Sequence, residues 1–151
     1  MADERNTKTG GGFSAAERAA MKQRAAELRA ESKASKGAAK KQQEFQACLD
    51  AIAALEGTDK KIAERLHVIV SEEAPQLDPK TWYGFPTYAR NGKNILFYQP
   101  ASKFKTRYGN IGFAEDAQLD EGEFWATAYA VLDVTPDAEK QLRALVKKAA
   151  G

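Results

Sequence analysis

The dipeptide Asn91-Gly92 stands between two runs suited to strands, Thr87-Tyr88-Ala89 and Ile95-Leu96-Phe97-Tyr98. Asn-Gly is favoured in the two-residue primed hairpin turn, because both central residues of that turn need a positive φ. Two antiparallel strands are therefore predicted here, and Pro79, Gly84 and Pro86 just before them forbid a long helix. Further short strands are predicted over residues 104–108, 110–113 and 127–132, with a helical turn over 120–124.

Helical periodicity flanks this region. Phe45, Leu49, Ile52 and Leu55 recur at helical spacing within residues 38–55, and Gly57 ends the run. Asp59 or Thr58 is expected to cap a third helix, in which Ile62, Leu66, Ile69 and Val70 share one face until Pro75. Thr135-Pro136-Asp137 opens a last helix with an N-cap, a first-position proline and an acid in the first turn, and Leu142, Leu145 and Val146 supply its buried stripe. Helices, then strands, then a helix predict an α+β domain: an antiparallel sheet of about five strands packed against helices on one face.

Charge divides the chain near Glu44. Residues 1–44 hold ten Lys/Arg against six Asp/Glu, whereas residues 45–151 hold thirteen against fifteen, so a formal charge of +2 conceals a basic first third. That third has no Trp, Tyr, Ile or Val and cannot form a core of its own. It reads as a disordered tail over 1–12 and a basic helical extension over 13–44, ahead of the α+β domain at 45–151. Ser14-Ala15-Ala16-Glu17 has the form of a capping box with Phe13 as its staple, and strong helix formers continue to about residue 32. Met21 and Leu28 make only a thin apolar stripe, so a solvated or loosely docked helix is expected. Ser35 and Gly37 mark a hinge over residues 32–37.

One Cys and one His exclude a disulfide framework and a Cys/His zinc cluster. Cys48, among Phe45, Leu49 and Ile52, reads as a buried and inert thiol, and His67 as a structural residue. No apolar run reaches the length of a secretory signal or a membrane span, so a cytoplasmic location without a membrane partner is expected. No nucleophile elbow, triad-like context or phosphate-cradling glycine loop occurs, which favours binding over catalysis.

Residues 80–113 gather nine of the fourteen aromatics. In a strand over 104–108, Lys103, Lys105 and Arg107 would point to one face and Phe104, Thr106 and Tyr108 to the other. Beside Trp82, Tyr83 and Tyr98, that basic row would line a sheet face able to hold a small anionic or aromatic ligand. On open solvent the same row is an ordinary edge that discourages strand pairing. Glu72-Glu73, Glu115-Asp116 and Asp120-Glu121-Glu123 are the candidate oxygen ligands for a hard cation. The ten cations of the first third would also support a salt-dependent, sequence-blind association with nucleic acid.

From about Phe45 to Val146 the chain resembles the YdhG-like family, a bacterial domain family of unknown function. The matching residues are the apolar helix from Ile62 to Val70 ending in Ala74-Pro75, the Lys80-Thr81-Trp82-Tyr83-Gly84-Phe85-Pro86 signature, the Asn91-Gly92-Lys93 hairpin and the Lys103-Phe104-Lys105 strand. The W-x-G-x-P core implies a kinked entry into the first strand. The resemblance also implies a compact fold similar to frataxin, with terminal helices packed on an antiparallel sheet. One relative is regarded as a frataxin-like iron chaperone, so the resemblance adds iron binding as an alternative function.

Overall fold

The computed structural model describes residues 14–33 and 37–151. The tail expected over 1–12, the staple residue Phe13 and the centre of the expected hinge, 34–36, lie outside the described residues. The chain runs α1 (Ala15–Lys33), α2 (Ala38–Ala53), α3 (Gly57–Glu73), β1 (Asp78–Trp82), β2 (Phe85–Arg90), β3 (Lys93–Gln99), α4 (Ala101–Phe104), β4 (Gly109–Phe113), β5 (Ala128–Val131) and α5 (Pro136–Ala150).

Local chemistry starts the helices where the residues predict. The Ser14 N–H donates to Glu17 Oε1 at 2.8 Å and the Glu17 N–H to Ser14 Oγ at 3.1 Å, closing the capping box of α1. Thr135 Oγ1 accepts from the Ala138 N–H at 3.2 Å, with Pro136 at the first position of α5. The expected cap of α3 is absent. That helix starts at Gly57 with no side-chain cap, and Asp59 accepts instead from the Ser102 N–H at 3.2 Å and from the Ser102 hydroxyl. α2 runs across the division expected at residues 44 and 45, and its Cys48 and Ile52 enter the core.

The five strands lie in the order β1-β2-β3-β4-β5, all antiparallel. The number agrees with expectation, but one member differs. Residues 104–108 form no strand: Pro100 leads into the single turn α4, which ends at Lys105 in the left-handed conformation, with φ 56° and ψ 44°. β1 takes the fifth place. The kinked entry expected at Trp82-Tyr83-Gly84 is a second two-residue hairpin turn, with Trp82 opposite Phe85 and positive φ at both Tyr83 (54°) and Gly84 (80°). Residues 120–124 form no helix, only a turn ahead of β5.

The helices α2, α3 and α5 cover one face of the sheet. Ile62, Leu66, Ile69 and Val70 pack there with Tyr88, Leu96, Tyr98, Ile111 and Val146. The core carries one polar line: the Tyr88 hydroxyl lies 3.0 Å from His67 Nδ1 and also contacts Cys48, whose thiol burial pushes up to about 11. Outside, Arg65 grips Glu139 through two bonds from Nη2, at 2.9 and 2.8 Å, and Arg143 reaches Glu139, Glu72 and Glu73, clamping α3 to α5. No helix among the described residues is long and apolar enough to cross a membrane.

Leu66 is fully buried between helices and sheet. Leu66→Ala is expected to lower unfolding free energy by about 3 kcal/mol in a urea titration, through lost transfer energy and the cavity left behind. Burial holds the His67 imidazole below its ordinary 6.5. The unfolded chain therefore takes up that proton first, so the stability contributed by neutral His67 is present above the ordinary value and lost as pH falls below it. The urea midpoint should drop between about pH 7.5 and 5.5, and His67→Asn should flatten that drop.

Candidate functional site

A one-residue irregularity in β3 decides which rings share the sheet face opposite α2, α3 and α5. Arg90 pairs with Lys93 and Ala89 with Asn94, but Tyr88 pairs with Leu96 and Thr87 with Phe97, leaving Ile95 as an extra residue. An unbroken ladder from the Asn91-Gly92 turn would set Tyr98 opposite Phe85, on the face of Trp82. The bulge reverses this. Tyr98 opposes Ile111 and is fully buried under the helices, while Phe97 opposes Thr87 and Gly112 on the open face. The Tyr98 hydroxyl donates to Asp59 Oδ1 at 3.5 Å, and burial followed by the Asp59 charge holds its pKa well above the usual tyrosine value. Tyr98 therefore leaves the expected site and Phe97 enters it.

Rings gather on the open face. Phe97 stacks on Phe85 at 6.0 Å between centroids, Trp82 sits 5.3 Å from Phe97 and 4.9 Å from Tyr83, and Phe104 meets Phe85 edge-on at 5.5 Å. Gly112 supplies bare backbone beneath Phe97, and a Cβ there would collide with the ring. Between these rings and α1 runs a groove of about 540 Å³, bounded on the helix side by Glu17, Ala20 and Met21. Phe85, Phe97 and Phe104 join Trp82 and Tyr83 in it. Their signal in the sequence was aromatic density alone, which does not separate a core ring from a groove ring.

The basic row disperses, because residues 103–107 are a helical turn and its exit rather than a strand. Lys103 is half-buried, with Nζ 5.8 Å from the Phe85 ring centroid and so close to Gly84 that a Cβ on that glycine would collide with it. Burial lowers the Lys103 pKa and the nearby Glu27 charge opposes that shift. Lys105 is exposed at the end of α4. Arg107 is exposed and lies 5.0 Å from the centroid of the Tyr108 ring. Of the six residues expected to form the site, Trp82, Tyr83 and Lys103 come together, and Tyr98, Lys105 and Arg107 do not.

The turn between β1 and β2 holds α1 in place. The Tyr83 N–H donates to Glu27 Oε1 at 3.1 Å and the Gly84 N–H to Glu27 Oε2 at 2.9 Å. This is a docked helix, not a solvated one. Its inward face carries Ala16, Ala20, Arg24 and Glu27, whereas Met21 and Leu28 remain about half exposed. Small alanines allow close approach, the stripe is as thin as expected, and the Glu27 carboxylate takes the two amides of the turn.

Of the acidic candidates, Glu72 and Glu73 pair with Arg143, and Glu121 lies 4.0 Å from the Lys148 ammonium. Among the described residues no three His, Cys, Asp or Glu side chains converge to hold a metal ion. The donor set does not fit the iron site implied by the family resemblance. No protein-family model matches this chain, and no curated protein or solved structure matches it.

Gly84 carries both a left-handed φ and the approach of Lys103 and Gln23. Gly84→Ala should lower stability by about 1–2 kcal/mol in thermal denaturation, from the left-handed backbone alone, with the displacement of Lys103 adding to it.

Proposed function

We propose that the protein is a non-enzymatic binding module whose groove between α1 and the open sheet face takes a small ligand with a flat aromatic body and an anionic end. The observation that carries this reading is the five-ring wall of Trp82, Tyr83, Phe85, Phe97 and Phe104, all but the buried Phe85 partly exposed, along a groove of about 540 Å³ with the Lys103 ammonium beside it. That volume lies in the size range of small-molecule sites, roughly 300–1,000 Å³. Rings supply apolar area and stacking geometry, and Lys103 supplies the charge that orients an anion.

Among the described residues the lining contains no Ser, Cys or His, and its carboxylate, Glu17, accepts from the Ser14 N–H in the capping box. Kinship with the YdhG-like family is likewise proposed, on the motifs from Lys80 to Pro86 and around Asn91-Gly92.

Calorimetric titration of the full chain with the neutral probe 2-naphthylmethanol tests the groove. Saturable binding is expected, weakened about tenfold, or ~1.4 kcal/mol, by Trp82→Ala and by Phe97→Ala. Tyr108→Ala, outside the groove, should leave it unchanged. No saturable heat with the intact protein, or equal affinities in all four proteins, sinks the reading.

A further inference from the structure

Two consecutive backbone amides of a hairpin turn converge on one carboxylate. The Tyr83 N–H takes one oxygen of Glu27 and the Gly84 N–H takes the other, at 3.1 and 2.9 Å. Successive N–H groups aimed to one side form a concavity that suits a planar, two-oxygen anion, and each bond to an ionised acceptor is stronger than a neutral one. The Lys103 ammonium stands against the same turn, close enough to Gly84 to leave no room for a Cβ. Two amide donors therefore hold one small anion position near the Lys103 ammonium, and Glu27 of α1, with Arg24 Nη1 3.4 Å from its Oε1, fills it.

The contact is built at a cost. A bulky residue such as Tyr83 rarely adopts a φ of 54°, and the Glu27 side chain is only 12% exposed. Ala20 of α1 is buried, whereas Met21 and Leu28, its large apolar residues among those described, stay about half exposed. The Glu27 clamp is a contact that another carboxylate can reproduce. The site is also continuous with the groove, since Tyr83 donates its amide to Glu27 and lines the groove with its ring.

Resting on the reading of the groove as a small-ligand site, we propose that the Tyr83–Gly84 turn with Lys103 is a carboxylate receptor occupied in the resting protein by Glu27. The ligand is then a small aromatic monocarboxylate: its ring lies on Trp82 and Phe97, and its acid replaces that of Glu27, releasing α1 from the turn. Glu27 acts as a competing intrachain ligand and raises the concentration of acid needed for binding.

The test compares 2-naphthoate with 2-naphthylmethanol on the full-length protein, its Glu27→Ala variant and the Glu27→Ala/Lys103→Met double variant, each checked for folding by circular dichroism. Glu27→Ala should raise the affinity for naphthoate relative to that for naphthylmethanol about tenfold, a ratio that cancels any effect of the lost clamp on the shared groove, and adding Lys103→Met should reverse most of the gain. The amide resonance of Gly84 should shift with naphthoate in Glu27→Ala and stay in place with naphthylmethanol. Glu27→Gln, which presents an N–H to one of the two amides, gives the same comparison if the alanine variant unfolds. Naphthylmethanol binding with no preference for naphthoate in either Glu27 variant overturns the receptor and leaves the groove intact. Failure of both probes to bind any of the proteins overturns the groove and the receptor together.

Discussion

The extra residue Ile95 in β3 governs the rest of the molecule. Side chains alternate along a strand, so a slip of one residue exchanges every side chain beyond it between the two faces. Because the ladder changes register between Ala89 and Tyr88, Leu96 and Tyr98 turn under the helices and Phe97 turns away from them. The buried face thereby receives two residues that fill space between α3, α5 and β4. The other face receives a ring that stacks on Phe85, meets Trp82 and needs the bare backbone of Gly112 below it. Core and groove are two outcomes of the same bulge.

A second constraint acts at the ends of the elements, where carboxylates from distant segments take up backbone donors. Asp59, early in α3, accepts from the Ser102 N–H and so holds the first turn of α4, which carries Phe104 against Phe85 and Lys103 against Gly84. Glu27, in α1, does the same for the turn between β1 and β2. Each carboxylate satisfies amides that would otherwise face solvent or stay unpaired, and each brings a segment to the edge of the aromatic groove. The groove is thus bounded by polar contacts, although its lining is mostly apolar.

Features that depend on a few adjacent residues were legible. Asn91-Gly92 makes its turn because both residues tolerate a positive φ, Ser14 and Glu17 satisfy one another across a single helical turn, and Thr135-Pro136 prepares the start of α5. The turn at Tyr83-Gly84 was not legible, because a tyrosine is a poor candidate for left-handed backbone and only the pairing of Trp82 with Phe85 shows why it is there. The basic row read onto residues 103–107 failed for a related reason. Alternating Lys, Phe, Lys, Thr, Arg fits a strand locally, but Pro100 and the distant Asp59 favour a helical turn.

By itself the sequence determined the class of fold, the four long helices, four of the five strands and the stretch in which the aromatic rings gather, since these follow from periodicity, turn chemistry and aromatic density within short windows. Only the tertiary structure decided which residues meet: Phe97 in place of Tyr98, Lys103 without Lys105 or Arg107, and Glu27 across 56 residues from the turn it caps. Those outcomes depend on register and on hydrogen bonds between segments far apart in the chain. Such contacts form only when the whole fold brings donors and acceptors together, so no local window contains them.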